Sequence, residues 1–186
     1  MISIGTLWLP ILLSAVAVFI VSSLIHMFFG YHSTDFDKIN SEDQVMDDLR
    51  KLNIPAGDYV VPFAKTKEER NTQEFKDKMN KGPVVFITMF PKGSVNMTQS
   101  FLMWFIYCII VGIFAAYISG RAVGTGNDYL SVFRFAGCTA FVGYSLALMQ
   151  NSIWYRKKWS ATLKSMFDGL IYALVTAGIF GWLWPM

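Results

Sequence analysis

Charge is scarce in this chain, and most of it is confined to one stretch. Only 16% of the 186 residues are Asp, Glu, Lys or Arg, while 54% are apolar, a balance that excludes an ordinary soluble domain, where about 25% are charged. Histidine is scarcer still, with His26 and His32 the only two. The two cysteines, Cys108 and Cys138, lie in separate apolar runs. That placement excludes a disulfide framework and a cysteine zinc cluster, and each is read as a small buried apolar residue. A formal net charge of +3 is too small to argue for a nucleic-acid partner. The first apolar run lacks a basic lead-in and a small-x-small cleavage site, so it is expected to stay in the mature protein. No nucleophile–base–acid triad and no haem-attachment motif is present. The glycine-rich run Gly120–Asp128 lacks the Lys-Ser/Thr of a phosphate loop. No catalytic or cofactor-binding residue is therefore assigned.

What is present is hydrocarbon. About 20 apolar residues at 1.5 Å each cross a core of roughly 30 Å, and four windows qualify: about Leu7–Phe29, Phe101–Gly120, Tyr129–Ser152 and Leu163–Trp184. The sequence thus predicts a mainly α membrane protein, a four-transmembrane-helix bundle with a small α+β cytoplasmic insert between helices 1 and 2. Its parts are transmembrane helix 1 at 1–30, the insert at 31–97, and transmembrane helices 2–4 at 98–186. The insert carries ten Lys/Arg and eleven Asp/Glu, a nearly balanced, solvated composition. Ser41-Glu42-Asp43-Gln44 reads as a capping box opening a short helix. Tyr59–Phe63 and Val84–Phe90 read as strands, with a charged helix at Lys67–Lys81 between them. So small a unit is expected to rest on the bundle or on a partner.

Basic residues in short loops set orientation. Arg156-Lys157-Lys158 lies on the insert's side of the membrane and only Arg121 on the other, which puts the insert in the cytoplasm and both termini outside. Trp154, Trp159, Trp182 and Trp184 flank the last two spans as an aromatic belt would. On that topology Asn96-Met97-Thr98 is cytoplasmic and is discounted as a glycosylation acceptor.

The last span carries the most structured pattern. Gly169, Ala173, Ala177 and Gly181 recur every four residues on one helix face, a row that allows close backbone approach in lipid. Similar rows occur in spans two and three, whereas the first span, dominated by Leu, Ile, Val and Phe, reads as the more lipid-exposed. Asp168 heads the row, and an ionisable residue in a span is a functional candidate whose partner must be named. The charged residues within the last two spans or at their inner rims are Arg134, Lys164 and Asp168. Arg134 and Asp168 stand roughly 10–15 Å apart along the membrane normal, too far to pair, so Arg134 is expected to snorkel to the outer interface. Asp168 has two nearer partners, Lys164 one turn earlier and His26 at a similar depth.

His26, His32 and Asp35 are the candidate divalent-metal ligands, for zinc or iron. A His-x5-His spacing does not put both rings on one helical face, so the chain would have to bend at Gly30. The combination of His26-Met27, Gly82-Pro83 before a strand, and Phe167-Asp168-Gly169-Leu170-Ile171-Tyr172 running into Phe180-Gly181-Trp182-Leu183-Trp184-Pro185 resembles a group of small four-span bacterial inner-membrane proteins. The likeness covers most of the chain. It implies a bacterial inner-membrane location and brings no activity with it.

The packing rows favour a non-enzymatic subunit or oligomer-forming component of a membrane complex. Its partners would be the lipid bilayer and either further copies or other membrane subunits. The alternative is a transporter or proton- or metal-handling protein using His26, His32 and Asp168. A membrane enzyme with its site where insert and bundle meet would rest on the same residues.

Overall fold

A computed structural model describes residues 2–94, 96–126 and 128–185. The chain is mainly helical, and four of its helical stretches are long and apolar enough to cross a membrane: Ile4–Phe28, Met97–Ala122, Tyr129–Tyr155 and Trp159–Trp182. It divides into two compact units, Met1–Asp37 with Asn96–Met186, and Lys38–Val95. The division falls after Asp37 because residues 31–37 turn back and bond to the last helix of the first unit, as described below.

The first unit is a bundle. Helix α1 (Trp8–Phe28) is followed by a 3-10 turn at Tyr31–Thr34. In the second unit, α2 (Glu42–Lys51), β1 (Gly57–Val61), α3 (Lys67–Asn71), α4 (Gln73–Lys81) and β2 (Val85–Met89) form a two-stranded antiparallel sheet with short helices. The bundle resumes with α5 (Met97–Ala122), α6 (Tyr129–Tyr144), α7 (Met149–Tyr155) and α8 (Trp159–Trp182). Helices α1, α5, α6 and α8 pack in a ring in that order, with α6 against α8 the most extensive face. α1 is not peripheral: Ile11, Ser14, Ala15, Val18, Ser22 and Ile25 are buried along one side of it. This corrects the lipid-exposed reading. α1 meets both α5 and α8, and Gly112 of α5 lets it come close, since a Cβ there would stand 3.3 Å from Ile11.

The row on α8 lies against α6 within the same chain. A Cβ on Gly137 would meet the Ala177 Cβ at 3.0 Å, and one on Gly181 would enter the Tyr129 ring at 2.6 Å. A Cβ on Gly169 would stand 2.2 Å from the Ser145 hydroxyl and 3.0 Å from the Tyr144 carbonyl. This last contact coincides with a break. The third span is not one helix: α6 ends at Tyr144, and a 3-10 turn at Leu146–Leu148 separates it from α7. Non-helical backbone at membrane depth survives where protein buries it and satisfies its polar groups. Ser145 is buried, and its hydroxyl donates to the Met166 carbonyl of α8 at 3.1 Å.

Other local expectations change for local reasons. Ser41 sits in the left-handed region (φ 58°) and makes no side-chain cap. The capping box is at Thr66 and Glu69 instead, where an extended N-cap aims the threonine oxygen at the Glu69 N–H. The charged helix expected over Lys67–Lys81 is two helices, because Thr72 caps the second. Cys108 is buried as expected, but Cys138 is exposed on the outer face of α6. Trp184 is not in an exposed belt: it is buried, and its indole N–H donates to the Gly124 carbonyl at 2.9 Å.

Because backbone as well as side chain faces Gly169, Gly169→Ala should cost about 1–3 kcal/mol. By contrast, a Cβ on Gly178 meets nothing nearer than 3.6 Å, so Gly178→Ala should be neutral or gain about 0.5–1 kcal/mol of helix propensity. Thermal unfolding in detergent followed by helical circular dichroism measures both; equal effects would contradict the close α6–α8 approach.

Candidate metal centre

The site is assembled at one end of the bundle by the turn that follows α1. The helix stops at Phe28, the chain bends at Gly30, and the 3-10 turn swings His32 back until its ring centroid lies 4.8 Å from that of His26. The bend lets two histidines six positions apart share a site, which one helix face could not do. Asp168 lies opposite on α8 and is only 2% exposed.

Direct bonds to Asp168 come from the turn. Tyr31 donates its hydroxyl to Oδ1. The His32 Nε2 lies 2.7 Å from Oδ2. On the other side of the same ring, Nδ1 is 2.6 Å from Asp35 Oδ2. Lys164 then ties the turn down, donating to the Tyr31 carbonyl at 2.6 Å, the Thr34 hydroxyl at 2.7 Å and Asp35 Oδ1 at 2.9 Å. Burial alone would raise the Asp35 carboxyl. Hydrogen bonds from His32 and Lys164, with their charges, outweigh it and hold that carboxyl below the ordinary carboxylate range.

A neutral imidazole has one N–H. If Nδ1 donates to Asp35, the Nε2 lone pair faces a carboxylate oxygen at 2.7 Å, a repulsive contact in a buried place. A second proton or a cation shared with Nε2 relieves it. One donor atom from each of His26, His32 and Asp168 lies within 4.8 Å of the others. Two imidazoles and one carboxylate suit zinc or ferrous iron and leave coordination positions open. Asp35 is then the outer carboxylate that fixes the His32 tautomer and raises its basicity.

The expected residues are thus partly reassigned. His26 and His32 come together, but the third donor is Asp168. Asp35 stands behind His32. Lys164 makes no bond to Asp168 among the described residues and instead reaches back to the turn, because helical side chains tilt toward the helix N-terminus. Arg134 is exposed and lies ten residues of α6 before Tyr144, about 15 Å along the helix from the Asp168 level. Tyr31 is a site residue that sequence spacing does not single out; the aromatic next to a histidine just past a helix end is the one signal for it.

His26 and Asp168 also line a cavity of about 690 Å³, together with Trp104, Tyr107, Tyr144 and Tyr172. Comparison with family models, characterised proteins and solved structures finds no match, so function rests on this geometry.

Removing the charge that ties the turn should loosen the site. Lys164→Met should lower stability by about 2–3 kcal/mol, the loss expected for hydrogen bonds to a charged group, and should speed amide exchange in residues 31–35. Unchanged exchange there would show that Lys164 does not hold the turn.

Proposed function

We propose that this is a multi-pass membrane protein that binds one divalent metal ion of the zinc or ferrous-iron class at His26, His32 and Asp168. The convergence of those three donors within 4.8 Å, one of them backed by a second carboxylate at 2.6 Å, carries the proposal. The chain spans a bacterial inner membrane, with the centre at its cytoplasmic end. The support is the basic link: Lys157 and Lys158 share a small cavity with Asp35, Lys158 pairs with Asp37, and basic loops favour the cytoplasm. Open coordination positions beside a cavity suit a site that takes up and hands on an ion or presents it to a ligand. An oligomer-forming role draws no support from the Gly169–Gly181 row, which is occupied by α6 of the same chain.

Protein purified without chelator, loaded with zinc or ferrous iron and desalted should hold one ion per chain by elemental analysis. His32→Ala and Asp168→Ala should hold none. Asp35→Asn, which keeps the shape but loses the carboxylate, should bind about 10–100-fold more weakly. A wild-type protein that carries no ion after loading contradicts the proposal.

A further inference from the structure

The cavity beside the centre has a composition of its own. Ring centroids of Trp104, Tyr144 and Tyr172 lie 5.6–6.2 Å apart, and the Trp104 N–H is already committed to Ser22 at 2.8 Å. The walls therefore present ring faces and edges, while His26, Asp168 and several serines supply polar groups to the lining. The Tyr172 hydroxyl is buried and has no hydrogen-bond partner among the described residues. About 690 Å³ falls within the 300–1,000 Å³ usual for small-molecule sites.

The mouth indicates where a ligand comes from. Among the lining residues, Met27 is 73% exposed, Met97 55% and Phe101 46%, and they belong to the end of α1 and the start of α5. They sit at the rim where two membrane-length apolar helices end and begin, so the opening is edged by apolar side chains at the boundary of the hydrocarbon.

We infer that the cavity binds a single-chain neutral amphiphile drawn from the bilayer, its hydrocarbon chain among the aromatic walls and its hydroxyl- or carbonyl-bearing head at His26 and Asp168. The head is not anionic, because a carboxylate would face the buried Asp168 carboxylate. This goes beyond the metal reading: the aromatic walls need no ion, while the head shares His26 and Asp168 with the metal, so binding is measured on ion-free protein.

The test uses chelator-treated, full-length protein in nanodiscs, with a 1-monoacylglycerol brominated on its chain as the probe. Bromine quenches indole fluorescence on contact, so the Trp104 signal is the difference between wild type and Trp104→Phe. Saturable quenching of that signal is expected. The brominated fatty acid of the same chain length should need at least a tenfold higher concentration at a pH where it is ionised. Ser100→Phe, in the cavity lining and not itself a metal ligand, should abolish the saturable phase while leaving zinc binding intact. Quenching that rises linearly with probe and is insensitive to Ser100→Phe overturns the inference, and so does fatty-acid binding as tight as that of the monoacylglycerol. Failure of zinc loading with saturable quenching intact would count against the metal centre alone.

Discussion

One buried carboxylate organises the polar chemistry of this bundle. Asp168 is placed by α8 where water is excluded, and an ionised carboxylate there carries a penalty of several kcal/mol unless it is paired and hydrogen-bonded. Among the described residues its hydrogen-bond partners do not come from the neighbouring spans. They come from the seven residues after Gly30, which fold back over the end of the bundle and deliver Tyr31 and His32 to the two carboxylate oxygens. The turn in its turn needs Lys164, which bonds to three of its groups. Asp168, His32, Asp35 and Lys164 thus form one connected hydrogen-bond network. The histidine in the middle touches two acids and is a natural place for a cation.

Packing and chemistry meet at Gly169. The absence of a side chain there lets the broken end of α6 lie on α8 immediately beside Asp168. The unwound residue, Ser145, satisfies the backbone of α8 through its hydroxyl. The small-residue row therefore serves the site as well as the bundle: it sets the level of α6 against α8 and so fixes the walls that Tyr144 and Tyr172 contribute to the neighbouring cavity.

The architecture was largely legible in the sequence, because hydrocarbon thickness imposes a length and a composition that survive any detail of packing. The row on α8 was legible for the same kind of reason, since spacing by four has only one meaning on a helix. The partner it would find was not, and it proved to be α6. The site was half legible. Scarcity drew attention to His26, His32 and Asp168, but the pairing depended on a turn whose direction no periodicity encodes. Spacing by four suggested that Lys164 would neutralise Asp168. Side-chain tilt sends the lysine the other way, toward the turn. The break at Ser145 left no mark either, because apolar residues continue through it; it coincides with the backbone contact at Gly169.

The coordination shell of a bound ion tests the central claim most directly. X-ray absorption at the metal edge of the zinc-loaded protein should show two imidazole nitrogens at about 2.0–2.1 Å and at least one carboxylate oxygen at about 2.0–2.2 Å. Loss of one imidazole in His26→Ala and of one in His32→Ala should follow. A shell of oxygens without imidazole scattering, or one unchanged by either substitution, would contradict the metal centre described above.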